Sequence, residues 1–310
     1  NNNRRNILHM TEANTMLREA ENNVIVEGIV SEINLEVKDI QGKEAITGNL
    51  VIEIGETAIC TVDVFANKFK KGTTDENSIF KGLSTVMNEY KSIAKVGKEE
   101  ADKVRITGAK LTVNDYYNGA DVLKSDVKVQ TNFINRLKVG EEFNPRAEFA
   151  IEIFIHKMND EVDSNGDVTG NKVISGLVPV YNGKIVPMEF IVKDQEIAQG
   201  IESLYEPGQS VKLYGDVNIA ISTIKTLVPV AIGKPKEVIK TLTTRELIVT
   251  GGSEPYLEDN PNVFSIDTIK NAMTVREEML AELKNKKDTK GNAGGKTASS
   301  TPKSGKTLPF

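Results

Sequence analysis

One pentapeptide occurs twice in this chain. Val104-Arg105-Ile106-Thr107-Gly108 is repeated 107 positions later as Val211-Lys212-Leu213-Tyr214-Gly215: a β-branched residue, a base, an aliphatic, a hydroxyl-bearing side chain, then glycine. Each copy runs on in alternation, through Leu111 and Val113 in the first and Val217, Ile219 and Ile221 in the second. Alternation at period two puts one face of a strand in a core and the other in water. A glycine inside such a strand marks a bulge, or a bend where a sheet curls. Five matching residues are within reach of chance, so the flanking elements have to decide.

They repeat too. In residues 23–140, Val24, Val26 and Val30 alternate, then Ile33, Leu35 and Val37 continue in a shifted register that predicts a bulge near Ser31. Leu50–Ile54 and Cys60, Val62 and Val64 read as the next two strands. Thr73 with Glu76 has capping-box form, and Ile79, Leu83, Val86, Tyr90 and Ile93 keep helical spacing until Gly97. The repeated strand follows, then a turn at Asn118-Gly119 and a fifth strand through Val127 and Val129. Residues 146–250 keep that order: strict alternation from Phe149 to Ile155, strands near 173–180 and 185–192, a helix at Ile197–Leu204, the repeated strand, and a fifth strand within 238–249. A long irregular connection containing Pro229 and Pro235 is expected before that last strand.

Three strands, a helix and two strands is the order of the OB-fold, a five-stranded Greek-key barrel. The reading is therefore a mainly β chain of two OB-like barrels, 23–140 and 146–250. An immunoglobulin-like sandwich or one large β-domain is the alternative. A mobile arm (1–22) precedes the barrels; a helical segment (263–286) and a disordered basic tail (287–310) follow. Thr274-Val275-Arg276-Glu277 has capping-box form, which suggests two short helices meeting there.

Composition narrows the function. One cysteine (Cys60) and two histidines (His9, His156) are too few for a zinc site, and no phosphate-binding or nucleophile-elbow motif is present. Asp163-Ser164-Asn165-Gly166-Asp167 imitates a calcium loop, but Lys172 stands where a bidentate glutamate is needed. The expectation is a non-enzyme without metal or cofactor. No apolar run reaches the length of a membrane span and no signal peptide opens the chain. The single Cys60 cannot form an internal disulfide, so a reducing cytoplasm is the expected setting. Net charge is −5, with the tail from residue 287 contributing +4. Any grip on nucleic acid must then come from a local groove rather than from global charge.

Phe65-Ala66-Asn67-Lys68-Phe69-Lys70-Lys71 is the most informative run. With Cys60, Val62 and Val64 inward, Phe65 points out, into three lysines. A ring that stacks on a base beside ammonium groups that meet phosphates is how single strands are held. The alternative is that Phe65 or Phe69 packs under the helix. Arg105, Lys110, Lys124 and Lys128 fall on polar strand faces, and Tyr116-Tyr117 stand at a hairpin tip. In the second barrel Phe154 and Tyr214 with Lys212 pair rings with polar faces, although Phe154 serves equally well as packing against the other barrel.

On this order, these outward rings and its last residues, the chain resembles phage-type single-stranded DNA-binding proteins with tandem OB-folds. Leu308-Pro309-Phe310 is similar to the Pro-Phe tip with which bacterial single-stranded DNA-binding proteins dock replication and repair partners; here Lys303 and Lys306, not acids, precede it. The resemblance implies sequence-tolerant binding of single-stranded DNA during phage replication or recombination, in the host cytoplasm, with replication or recombination proteins as partners of the tip. The rival expectation is a virion structural or assembly protein of β-domains without a nucleic-acid role.

Overall fold

The computed structural model describes residues 17–163, 165–229 and 235–293. Most of the expected N-terminal arm, and the tail from 294 with Leu308, Pro309 and Phe310, lie outside the described residues. The chain is mainly β. It is built from β1 (Asn22–Ile40), β2 (Lys43–Glu53), β3 (Ile59–Asn67), α1 (Ser78–Glu89), α2 (Ile93–Val96), β4 (Lys103–Tyr117), β5 (Leu123–Thr131) and the two-residue β6 (Asn135–Arg136). Then come β7 (Arg146–Val162), β8 (Val168–Val180), β9 (Lys184–Val192), α3 (Gln195–Leu204), β10 (Ser210–Val228), β11 (Lys236–Gly252) and α4 (Ile266–Ala293).

Strand pairing closes two barrels of one topology. In the first, β1 pairs antiparallel with β2 and β4, β2 with β3, and β4 with β5, while β3 and β5 close the ring in parallel at Val62↔Val129. In the second, β7 pairs with β8 and β10, β8 with β9, and β10 with β11, while β9 and β11 meet in parallel at Ile248↔Ile191. This is the OB-fold strand order, each barrel carrying its helix between third and fourth strands. Inward residues of both barrels, Val62, Ile106 and Leu111 in one and Ile153, Phe190 and Leu213 in the other, belong to one continuous apolar core.

The barrels also share a sheet of eleven strands, because β1 pairs antiparallel with β7. Glu27 lies opposite Arg105 of the first pentapeptide and Glu152 opposite Lys212 of the second, so the two glutamates are equivalent. Three residues before them stand Val24 and Phe149, which are each other's partners across β1 and β7. Equivalent strands thus meet at equivalent positions, about a local two-fold axis.

The pentapeptide glycines serve different ends. Gly108 has φ +78° where the β1–β4 register shifts, the bulge the sequence predicts. Gly215 has ordinary φ but no room, since a Cβ would stand 2.0 Å from the Ile248 carbonyl oxygen and against the Phe149 ring. The bulge expected near Ser31 lies between Val30 and Glu32.

Several element boundaries differ from expectation. Asn77 caps α1, its side chain accepting from the Ile79 amide, while Thr73 accepts from Asp75 in a turn. α1 stops at Glu89, and Ile93 opens the separate α2. α4 is one helix through Thr274, whose hydroxyl donates to the Lys270 carbonyl one turn back; it runs to Ala293, past the expected start of the tail. Residues 17–22 are fixed in place: Leu17 and Ala20 are buried and the Ala20 amide donates to Pro179 O. Finally, the irregular connection around Pro229 gives way to a long ribbon, β10 and β11 pairing out to Val228↔Lys236.

Candidate functional site

The outer face of β2, β3, β5 and β4 forms an open groove of about 530 Å³ on the first barrel. Alternation explains it: Cys60, Val62 and Val64 fill the core, which turns Asp63 and Phe65 outward. Phe65 is 39% exposed. Thr47 and Asn49 of β2, Thr112 and Asn114 of β4, and Lys128 and Gln130 of β5 complete the walls. Amides, hydroxyls and one ring around a single ammonium make a surface that accepts flat, hydrogen-bonding groups without selecting a pattern. Lys128 is held 2.6 Å from Asp63.

Past Phe65 the strand runs into the lysine loop. Phe69 is about half exposed and bridges to Glu76. The Lys68 ammonium lies 5.9 Å from the Phe69 ring and 2.8 Å from Glu44. Lys70 and Lys71 are exposed and make no ion pair among the described residues. At the other side stands the β4–β5 hairpin. Tyr116 is exposed, and its hydroxyl donates to Asp126 at 3.1 Å, a bond that raises the phenol's pKa. Tyr117 is half-buried, with Lys284 of α4 6.0 Å from its ring. α4 grips this hairpin further through Arg276 to Asp115 at 2.8 Å and Lys287 to Asp121. Lys124 is exposed on β5, opposite Tyr116.

Arg105, Lys212 and Phe154 are engaged away from the groove, while Lys110, opposite Gln130 of the groove, carries a surface ion pair of the same kind as Lys68 and Lys128. Arg105 forks onto Glu27 with two bonds of 2.9 Å and donates to the Glu142 carbonyl, so its guanidinium joins β4 and β1 to the segment before β7. Those bonds, against the desolvation of a carboxylate 1% exposed, hold Glu27 below the ordinary range. Lys110 is bound to Glu19 at 2.7 Å and Lys212 to Glu21 at 2.7 Å, both in the N-terminal segment. Phe154 is only 7% exposed. The face it shares with Glu152 is covered by residues far away in sequence: Arg18 and Tyr256 both reach Glu152, and the Tyr256 amide donates to Ser210 O. Burial pushes the Glu152 carboxyl up, but bonds from Arg18 and the Glu21 amide outweigh it and hold the group low. Tyr214 is exposed, yet its hollow is shared with Glu148 and Asp216, which repel phosphate.

What the sequence reading missed are the groove's uncharged members, Thr47, Asn49, Thr112, Asn114 and Gln130. Their only sequence signal was a polar residue at every second strand position, which any solvated face shows. Burial pushes the Cys60 thiol up to about 12 and leaves it inert. Asp163 accepts the Asn165 and Asp167 amides and so closes a hairpin turn. No cluster of His, Cys, Asp or Glu among the described residues is placed to hold a metal ion. None of the described helices is long and apolar enough to cross a membrane.

Among solved structures, the chain is similar to the wild-type single-stranded DNA binding protein of Thermus aquaticus, at 11% identity and TM-score 0.46 over 78% of this chain and 97% of that one. It is similar also to a deletion mutant of the Thermus aquaticus protein, at 10% identity and TM-score 0.44 over 78% and 98%. Superpositions this loose add nothing to the strand order already described. Comparison with curated proteins gave no match. The sequence profile of the YorF family matches residues 20–286, both barrels and most of α4 included. The chain belongs to the YorF family.

Proposed function

We propose that this protein binds single-stranded DNA, without catalysis and with little regard to sequence, in the groove of the first barrel. The observation that carries the reading is Phe65, a ring left in water on the floor of a concave, hydrogen-bonding face that leads into Lys68, Lys70 and Lys71. Bases stack on Phe65 and Phe69, at about 1–3 kcal/mol per base. Lys70 and Lys71 meet phosphates directly; Lys68 and Lys128 do so by exchanging Glu44 and Asp63 for the strand. The amides and hydroxyls of Asn49, Gln130 and Thr112 satisfy base edges of any kind. The setting that fits is the coating of exposed strands in phage replication or recombination, in the host cytoplasm. The rival, a virion structural protein, calls for a flat acidic face here, where a concave one with exposed rings stands instead.

Labelled oligo-dT and a duplex of equal length, titrated at two salt concentrations, test this. Single strands should bind more tightly than duplex, and affinity should fall with salt as lysine–phosphate contacts release counterions, by a slope of only about −0.7 per contact. Tighter binding to duplex, or affinity indifferent to salt, would overturn it.

A further inference from the structure

The β10–β11 ribbon belongs to the second barrel but is rooted beside the groove of the first. Ile219 and Arg245, cross-strand partners, pack against Thr61, Asp63 and Lys128, and Arg245 pairs with Asp126 at 3.3 Å. Asp63 and Lys128 are groove residues, and Asp126 is the acceptor of Tyr116. From that root the ribbon runs on from Ile219 to Val228, about 30 Å of strand at ~3.4 Å per residue. Beyond the root neither of its strands pairs with a third among the described residues.

Its distal half is unlike the body in two respects. Leu227, Val228, Val238 and Ile239 are exposed on it, Leu227 and Ile239 the most. A protein does not ordinarily leave such a cluster in water without a partner. Secondly, residues 222–243 carry a net charge of +3 while the rest of the chain carries −8. Lys236 and Lys240 supply two of those charges and are exposed. A basic ribbon with apolar side chains between its lysines fits a polyanion with apolar faces, and self-repulsion opposes the pairing of two such ribbons.

Resting on the groove reading above, we propose that the ribbon is a second, separate part of the single-strand site. A strand that enters over the lysine loop and Phe65 leaves the groove at the Asp63–Lys128 end and continues along β10–β11. There Lys236 and Lys240 meet phosphates and the aliphatic side chains lie against bases. The first barrel grips and the second barrel's arm extends the site.

Two variants of the full chain test this. In one, residues 223–241 are replaced by Asn-Gly, which joins the cross-strand partners Ser222 and Leu242 through a tight hairpin turn and keeps the Ile219–Arg245 root. In the other, Lys236→Gln and Lys240→Gln leave the ribbon whole. Each is titrated with oligo-dT of about 8 and about 20 nucleotides, the shorter sized for one barrel. The shortened variant should match the full chain on the short oligonucleotide and bind the long one about tenfold more weakly. The glutamine variant should keep its fold by circular dichroism and lose about 1.4 from its salt slope on the long oligonucleotide alone. Long-oligonucleotide binding unchanged in both variants would overturn the inference and leave the groove reading standing. So would an equal loss at both lengths, or a shift from associated to single copies with affinity kept, which would assign the ribbon to a second copy of the chain. A full chain that binds neither oligonucleotide overturns both.

Discussion

Phe65 and Phe154 look alike in the sequence, each an aromatic on the polar side of an alternating strand. Only the first is a surface. The alternation of Cys60, Val62 and Val64 was enough to turn Phe65 outward, because nothing remote among the described residues returns to cover it. Phe154 is buried on a face it shares with Glu152, which Arg18 and Tyr256 reach from more than a hundred residues away on either side, and period-two reading cannot see them. The two rings should therefore separate under the same substitution. Phe154→Ala should cost about 3–5 kcal/mol of stability, the usual price of a buried ring. Phe65→Ala should leave the melting temperature nearly unchanged and weaken single-strand binding severalfold, as calorimetry and titration on the same samples would record. The bases of the repeat teach a related lesson. Arg105 and Lys212 were visible as bases, but whether a base is free depends on an acid elsewhere, and Glu27 and the Glu19–Glu21 segment supply them. Because Glu27 and Glu152 are held below their ordinary 4.5, the unfolded chain binds more protons than the folded one as pH falls below that value. Their contribution is complete above the unfolded value and is lost on acidification through the folded one. Melting temperatures followed from about pH 7 to pH 3 should fall, and Glu27→Gln should begin lower at neutral pH and fall less steeply.

At the scale of elements, strand order was legible because one face of every strand is buried and the other is not. Where that asymmetry fails, so did the reading. The distal ribbon is exposed on both faces and has no inside, so its sequence reads as an irregular loop around two prolines. α4 carried a false internal cap at Thr274 because a hydroxyl followed by glutamate three residues on occurs equally inside a helix, where the hydroxyl bonds one turn back. Its packing comes from outside: Arg276 and Lys287 tie it to the first barrel's hairpin, and buried Ile269 and Ala272 seat it. The N-terminal segment was expected to be a mobile arm, yet residues 17–22 cover the face that Phe154 shares with Glu152.

For the whole molecule, two barrels were expected and two are present, but they are not beads on a string. One core, the β1–β7 pairing, the ribbon root and α4 all cross the boundary. Heating should therefore give a single cooperative transition, with the calorimetric enthalpy equal to the van't Hoff value. Two resolved transitions would show that each barrel stands alone. The meeting of Val24 with Phe149 has a further meaning. A surface that joins to its own counterpart about a two-fold axis is what a pair of identical subunits uses. Here both subunits are carried on one thread, which removes the obligation to be identical. The first half carries an open groove across β2, β3, β5 and β4 and a short hairpin; the second carries a long arm where that hairpin would stand, and its Glu152 face lies under Arg18 and Tyr256. One topology repeated within a chain gives symmetry in the joint and leaves the two halves free to differ everywhere else.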